Sequence, residues 1–587
     1  MAPLIWFTAV TDQTTTSDRK PATDSSTRRR GWLLAFLGFM LCIGAWSVAA
    51  PYDGTPDEQQ HILRAAAVAA GQVAVHPANE IEGGGAYVTV PRSLVRDRCW
   101  QFVSRKPAGC VPEPGGDRTP VRAISGAGRY HPIYYAVVGL PLRLWPDWTG
   151  VLLARLISGA LCAALFATAL MDALRWSRHR LMAVAILGGV SPMATHMASA
   201  VNPSGVEIAA GVAFFAAAVP LLYAPGAERS RTLLWHVGVA ALALAVLRAG
   251  GPLWVVVSVA ALLLPLRWAK LRQLWAWRPV RWWMLVVGLA MVGSLIWTAL
   301  FKTTNLGDFT HGQRLSLAQA IGTEVDIWRE YADEMVGVMA WLDARMPGSM
   351  YLIWESAVAA LLVWGFIVAH RAGRWRMAAL AAGGLGIPFV MQIAYVNKVG
   401  FVTQGRYLLP VAVGLPILAT FLIQEYGLPG DKSRTLLRLY IVTLLPIHLV
   451  ALVFTMVRWQ QGLSRGAGLR GLNPLSGPWQ PPLGPVLPLV ATIAGLLLIG
   501  WLLWRSERVA GGPPPASATD AATATDAATV TEAAMATGAD AAAGTDGAAE
   551  GAQGEGDRPR RAAALAHSMD GASRPAVDQS EQIQEIR

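Results

Sequence analysis

The chain repeatedly passes through apolar runs of about 20 residues, the length that crosses a lipid bilayer as a helix. Of its 587 residues, 53% are hydrophobic, 15% are charged and 24 are tryptophans. Several soluble domains of this total length would carry a larger charged fraction. The sequence therefore predicts an all-α polytopic membrane protein with about 12 transmembrane helices.

The net charge of +11 would by itself suggest a nucleic-acid partner. The distribution of charge argues against this, because Lys and Arg cluster in short loops between apolar runs. We therefore expect membrane lipid and no nucleic acid as partners, with the chain in the plasma membrane and its basic loops in the cytoplasm. The spans that satisfy this rule are 32–50, 151–174, 181–200, 204–223, 232–249, a sixth that ends before Arg267, 283–301, 350–369, 377–396, 404–425, 437–457 and 485–504.

Polar segments flank the predicted transmembrane domain, 32–505. The first, 1–31, is rich in Thr and Ser, ends in three arginines and is predicted to be a disordered cytoplasmic tail. A cleaved signal peptide that ends near Ala50 is the alternative. The second, 506–587, is mainly Ala, Thr, Gly and Asp, which cannot bury enough apolar surface to fold. It is predicted to be a disordered, low-complexity cytoplasmic tail.

Two long outer loops interrupt the spans, at 51–130 and 302–349. The second contains a stretch, 323–345, whose pattern predicts an amphipathic helix on the membrane surface. The segment 131–145 is apolar but short, and Pro141 breaks it. Counting it as a span would invert every later loop, so we interpret it as an interfacial or re-entrant helix.

The first outer loop holds two cysteines, Cys99 and Cys110. Thiols outside the cytoplasm tend to oxidise, which predicts a disulfide between them, with two free cysteines as the alternative. Cys42 and Cys162 lie in apolar spans and are predicted to be small buried residues.

A cluster of ionisable residues follows the first span directly: Asp53, Asp57, Glu58 and His61. Asp57 and His61 are four positions apart on one helical face, with Glu58 beside them, which favours a water-facing catalytic or metal-binding cluster. The other interpretation is a helix N-terminus, in which Thr55 or Asp57 caps free amides and the acids interact with the helix dipole. The residues alone leave both interpretations open.

The predicted topology brings polar residues from distant parts of the chain to the same outer face as the acids. An acid that deprotonates a hydroxyl or holds a divalent cation (Mg²⁺ or Mn²⁺), together with arginines that bind phosphate oxygens, suits transfer from a lipid-linked phosphate donor. Helix-end snorkelling and helix-terminating turns are the alternatives for single residues. The candidate substrate-binding residues are His61, Arg64, Arg129, His131, Tyr134, Asn202, Arg248, Gln404, Arg406 and Tyr407.

Four motifs in order, PDEQQH, HPIYY, ASAVNPSGVE and QGRYLLP, resemble the bacterial multi-pass membrane family called domain of unknown function 2142. That family is similar to the GT-C superfamily of membrane glycosyltransferases, and the resemblance spans roughly 32–505. It implies a GT-C-like fold, a polyprenyl-phosphate sugar as co-substrate and an envelope glycan or lipid acceptor on the outer face.

The resemblance also implies roles for single residues. Asp57 first, with Glu58 in support and Asp53 as a third member, would act as base or metal contact. Arg406, with Tyr407 beside it, would bind the donor phosphate, and His61 would orient the acid or the acceptor. In one respect the chain departs from many relatives, because Ser204 stands where an acid follows the proline. Glu207, one turn later, is a weak substitute.

The predicted function is an integral membrane glycosyltransferase that acts by a single inverting displacement. No cytoplasmic loop is large enough for a nucleotide-sugar domain, which favours a lipid-linked donor. A transporter or flippase of a lipid-linked glycan is one alternative, although such proteins generally show mid-span charges and internal repeats. A non-catalytic assembly factor for envelope polysaccharide is the other.

Overall fold

The computed structural model describes residues 23–74, 85–304, 314–426, 428, 430–463, 468 and 472–505. The predicted C-terminal tail, 506–587, lies outside the described residues, as do residues 1–22 of the predicted N-terminal tail. The remainder of the predicted N-terminal tail, 23–31, lies within the first helix, which begins at Thr23. Helix formation does not require apolar side chains, so polar residues can prolong a span beyond the hydrocarbon.

Nine helical spans among the described residues are long and apolar enough to cross a membrane. Helices are numbered α1 to α20 in chain order. The nine spans are α1 (Thr23–Ala49), α5 (Trp148–Trp176), α8 (Pro203–Tyr223), α12 (Arg278–Phe301), α14 (Gly348–Val368), α15 (Arg371–Ala381) with α16 (Ile387–Val399), α17 (Gly405–Ala412) with α18 (Gly414–Tyr426), α19 (Gly430–Gln461) and α20 (Val486–Trp504).

Two further predicted spans are sharply bent helix pairs, which bring the count in the described chain to eleven. In one, a short turn (Arg178–Arg180) and α6 (Met182–Gly189) meet α7 (Pro192–Ala198) at 65°. In the other, α10 (Gly251–Leu263) meets α11 (Trp268–Ala276) at 120°. The remaining predicted span is α9 (Arg231–Leu247), which is short at 17 residues. The all-α polytopic membrane fold is therefore confirmed.

The first loop region, 51–147, contains both helices and a small sheet. The helices are α2 (Glu58–Ala69), α3 (Pro132–Val138) and α4 (Leu140–Leu144). Strands β1 (Ala86–Pro91) and β2 (Pro120–Ser125) pair antiparallel, with Ala86 opposite Ser125. Cys99 and Cys110 are joined by a disulfide in the same region. The segment predicted as one interfacial or re-entrant helix is thus two short helices.

The second loop region holds α13 (Leu317–Gly337) and a minimal strand pair, β3 (Val338–Met339) with β4 (Ala344–Arg345). Helix α13 begins six residues before the predicted stretch, because Ser316 and Gln319 form a reciprocal capping box at its N-terminus. Strands β3 and β4 lie in the C-terminal part of 323–345, where the sequence pattern predicts helix.

Helix α8 is the most buried span and packs against α5, α7, α9, α17 and α18. Its Gly211 lies so close to α17 that a Cβ atom there would collide with the carbonyl of Pro410. Because glycine permits this approach, α17 is held directly against α8 at Pro410. This packing brings the first residues of both helices to one end of the bundle, beside α2.

Candidate active site

Asp57 immediately precedes α2 and has a left-handed backbone with φ of 66°. Its carboxylate makes no capping hydrogen bond to the helix. The carboxylate instead pairs with Arg406, with 2.8 Å between Oδ2 and Nη2, while 45% of the Asp57 side chain stays exposed. The sequence left two interpretations open. The helix-cap interpretation does not hold for Asp57, because its carboxylate pairs with Arg406 of α17.

The pKa of Asp57 is set by opposing effects. Burial raises it, but the charge of Arg406, the hydrogen bond from Arg406 and the charge of Arg248 together lower it below its usual value. Asp57 is therefore ionised at neutral pH.

Asp53 has the capping role instead. Its Oδ1 accepts a hydrogen bond from the Gln59 amide at 2.9 Å, and its Oδ2 accepts one from Gln101 Nε2 at 3.0 Å. Burial raises the pKa of this carboxyl to about 8. The geometry favours a structural role for Asp53 at the start of α2, and its expected catalytic role stays a prediction.

Glu58 is fully buried in a two-pronged ion pair with Arg155 of α5. Arg155 Nε lies 2.8 Å from Oε1 and Nη2 lies 2.7 Å from Oε2. The same guanidinium donates to the carbonyls of Ser47, Ala50 and Pro51. Glu58 is thereby fixed inside the protein, which favours structure over its expected part in catalysis.

Arg406 is the cation of the exposed pair, although its own side chain is buried. Nη2 donates to Asp57 and, at 3.0 Å, to the Tyr407 hydroxyl, and Nη1 lies 3.5 Å from the Pro56 carbonyl. Among the described residues, Nε has no hydrogen-bond partner. Arg406 is thus held in place on the Asp57 loop with donor capacity remaining.

Three helix N-termini meet around Pro56 and Asp57. Asn202 caps α8 through Oδ1 and the Ser204 amide, and its Nδ2 donates to the Pro56 carbonyl at 3.2 Å. Helix α2 starts beside Asp57, and Arg406 is the second residue of α17. Because helix N-termini carry partial positive charge, their convergence favours an anion at this end of the bundle.

Arg248 adds a second guanidinium there, just after α9. Nη1 donates to Ser204 Oγ at 2.9 Å and lies 3.8 Å from a Glu207 carboxylate oxygen. The guanidinium stacks over the Tyr407 ring at 4.6 Å and lies 5.9 Å from the Tyr130 ring. Ser204 and Glu207, the two residues noted where the chain departs from many relatives, therefore contact the same arginine.

His61 lies behind Asp57 on α2, with Nδ1 2.8 Å from the Tyr135 hydroxyl. Burial lowers its pKa to about 3, so the imidazole is neutral and can only exchange hydrogen bonds. Tyr134, the neighbouring candidate, bonds Ser158 at 2.9 Å in the core. This geometry favours a packing role for Tyr134. His61 is a neutral group that can orient neighbouring side chains through hydrogen bonds.

Three other candidate residues, Arg64, Arg129 and His131, contact backbone carbonyls or an aromatic ring. Arg64 donates to the carbonyls of Gln72, Val73 and Tyr130, which favours a structural role. Arg129 donates to the Lys302 carbonyl at 2.8 Å and so ties the two loop regions together. The ring of His131 packs 5.4 Å from that of Trp297.

Gln404 is the residue before α17, and its buried Oε1 has no partner among the described residues. The following amide, Gly405, donates to Glu334 Oε2 of α13 at 2.6 Å. A Cβ atom on Gly405 would collide with the Tyr331 carbonyl. Helix α13 therefore supports the turn that carries Arg406.

The donor set around Asp57 does not fit a dedicated metal site. The described part of the chain has no group of three His, Cys, Asp or Glu side chains placed to hold a metal ion. Glu58, the second expected ligand, is already paired with Arg155. Metal dependence stays a prediction.

A model of the family described as "Predicted membrane protein (DUF2142)" matches residues 39–415. The chain belongs to this family. The match covers the four motifs by which the sequence resembles it, so that resemblance is confirmed. A comparison with curated proteins found no match.

Two solved structures of ArnT from Cupriavidus metallidurans are similar to this member of the family, one apo and one bound to undecaprenyl phosphate. Both are 16% identical, and each alignment covers 82% of this chain and 77% of ArnT. The TM-scores are 0.39 for the apo structure and 0.40 for the bound one.

Sequence reasoning missed Arg155, Tyr135 and Glu334, which hold the site residues in place. Arg155 had a signal, since an arginine within an apolar span needs a partner in the protein interior. Glu334 had none, because its partner is a backbone amide 71 positions away.

Proposed function

We propose that the protein is a membrane glycosyltransferase that moves a sugar from a polyprenyl-phosphate donor to an envelope glycan or lipid acceptor. The observation that carries this proposal is the half-exposed pair of Asp57 and Arg406 where three helix N-termini meet. An ionised acid beside a cluster of positive charge suits a reaction that takes up a proton and releases a phosphate.

The positive side of the site fits the donor phosphate. Arg406 and Arg248 both stack on Tyr407, at 5.0 Å and 4.6 Å, so two guanidinium groups are held on one ring. Guanidinium groups bind phosphate oxygens through paired N–H donors, and the helix N-termini add partial positive charge. This arrangement would offset the negative charge that develops on the leaving phosphate.

Asp57 would accept the proton of the acceptor hydroxyl. As that oxygen bonds to the anomeric carbon, the bond from this carbon to the phosphate oxygen breaks, and the lipid phosphate leaves with the electron pair. A single displacement inverts the anomeric carbon. Phosphate binding at Arg406 would weaken the hold of this arginine on Asp57 and raise the pKa of the carboxyl, which makes Asp57 a better base when donor is present.

The multi-pass membrane architecture is consistent with a lipid substrate. By the positive-inside rule, the Asp57 end of the bundle faces outward, because the basic loops lie at the other end. We therefore place transfer on the outer face of the plasma membrane, with both tails in the cytoplasm.

The test is transfer of labelled sugar from polyprenyl-phosphate donors to cell-envelope lipid and glycan fractions by purified protein in lipid vesicles. The proposal expects turnover with at least one donor and an inverted product linkage. Treatment with chelator measures the predicted metal dependence separately. Movement of intact lipid-linked glycan across the vesicle membrane without sugar transfer would instead support a flippase.

A further inference from the structure

A basic cavity of about 370 Å³ lies where α10 turns into α11. Helix α10 starts three residues after Arg248 and has 13 residues, so roughly 20 Å of helix separates this cavity from the candidate active site. Its polar lining includes three cationic side chains, those of Arg267, Lys270 and Arg376, together with His370.

Two of these side chains are fixed by backbone hydrogen bonds. Lys270 Nζ donates to the Leu222 carbonyl at 3.1 Å, and Arg376 Nε donates to the Leu264 carbonyl at 2.6 Å. The Arg376 guanidinium also stacks over the Tyr223 ring at 4.2 Å. Both groups have further N–H donors, so they are positioned in advance for an anionic ligand.

The charge of the cavity is not neutralised by its lining. None of the described residues that line it is Asp or Glu. Glu425 interacts electrostatically with Arg376 but does not line the cavity. The first turns of α11 and α15 also contribute lining residues, and neither helix has a side-chain cap. Helix dipoles therefore add to the positive potential.

An apolar groove of about 730 Å³ continues from this cavity. Leu222, Leu263 and Leu271 line both spaces, and the groove extends between α8, α9, α10 and α12. A positively charged cavity that opens into an apolar groove matches a molecule with a phosphate headgroup and hydrocarbon chains, and does not match a free anion.

Helix α11 has the composition of an interfacial helix. Trp268 and Trp275 are 75% and 58% exposed, and Lys270 and Arg272 lie between them. Since α11 leaves α10 at 120°, it turns back along the boundary where headgroups reside.

We propose that this cavity binds an anionic phospholipid of the cytoplasmic leaflet, with its phosphate on Lys270, Arg267 and Arg376 and its acyl chains in the apolar groove. The positive-inside rule places this end of the bundle in the cytoplasm. Basic pockets between helix ends on that side suit anionic headgroups. The site is separate from the proposed donor site.

The experiment is native mass spectrometry of the full chain, with lipid retention compared between phosphatidylglycerol and phosphatidylcholine. The double variant Arg267→Gln with Lys270→Gln removes two charges from exposed or half-buried positions, and Arg229→Gln removes one exposed charge outside the cavity. We expect wild type and Arg229→Gln to retain phosphatidylglycerol preferentially, and the double variant to lose roughly tenfold of that preference. Thermal unfolding of each variant verifies that it is folded.

Equal retention of both lipids by wild type would overturn the proposal, as would an unchanged preference in a folded double variant. Competition arms address the source of the phosphate. Displacement of phosphatidylglycerol by millimolar inorganic phosphate would indicate a plain anion site, and preferential retention of polyprenyl phosphate would indicate a carrier-lipid site. Either result would contradict the assignment to a phospholipid.

Discussion

Arg406 Nη2 lies 2.8 Å from Asp57 Oδ2, although 349 positions separate the two residues in the chain. Neighbouring Glu58 faces the other way and pairs with Arg155 from a different helix. The two adjacent acids thus differ in environment. Asp57 is half-exposed in its pair with Arg406, whereas Glu58 is buried in its pair with Arg155. The left-handed backbone at Asp57 separates their directions.

Breaking the buried pair is expected to destabilise the fold. Glu58→Gln leaves the Arg155 guanidinium buried without its counter-charge, a loss worth about 3 to 5 kcal/mol in the free energy of unfolding. Thermal unfolding in detergent measures it. Asp57→Asn is the comparison: it also removes the counter-charge of a buried arginine, but its own side chain is half-exposed, so its unfolding temperature should fall less than that of Glu58→Gln. Equal unfolding temperatures for Glu58→Gln and wild type would contradict the structural role of Glu58.

The raised pKa of Asp53 predicts that the stability of the fold depends on pH. Its pKa of about 8 in the fold lies above that of an unfolded aspartate, so the folded chain binds the extra proton. Stability should therefore fall as pH rises from about 4 to about 8. Asp53→Asn cannot ionise, and its unfolding temperature should fall less steeply over this range. Burial of Glu113 raises its pKa to about 7, so part of the slope remains in the variant. Parallel slopes for variant and wild type would rule Asp53 out as the source.

The effect of Arg406 on the pKa of Asp57 predicts how activity depends on pH. Because its charge lowers the pKa of Asp57, Arg406→Gln should move the acid limb of the rate profile to higher pH. Arg406→Lys keeps a charge and should move the limb less. The measurement is sugar transfer between pH 4 and 9, with donor binding recorded in parallel. An acid limb that stays in place in Arg406→Gln would show that Asp57 is not the titrating base.

The turn before Arg406 offers a test of positioning. Gly405→Ala places a Cβ against the Tyr331 carbonyl, so the N-terminus of α17 must shift and carry Arg406 away from Asp57. Transfer should fall by roughly tenfold to a hundredfold, the range for a misplacement of about 1 Å. Gly322→Ala in α13 is the control, since an added Cβ there meets no atom within 4 Å. Similar activity in both variants would remove positioning as the role of Gly405.

The spans follow from local pattern, because length and hydropathy alone require a helix in a bilayer. The β1–β2 pair in the first loop does not, since its strands are six residues each and pair across 28 intervening positions. The family motifs indicate where Asp57 and Arg406 belong. They do not separate Asp57 from Glu58, because that choice depends on Arg155, which lies 97 positions from Glu58 and contacts it only in the folded chain.

The most direct test of Asp57 as the catalytic base is single-turnover sugar transfer by wild type and Asp57→Asn, with binding of the polyprenyl-phosphate donor measured on the same samples. Asparagine keeps the shape and can still accept a hydrogen bond from Arg406, but it cannot take up a proton. If Asp57 is the base, transfer should fall by about 10²- to 10⁴-fold while donor binding persists. Transfer at the wild-type rate by a folded Asp57→Asn variant would contradict that role.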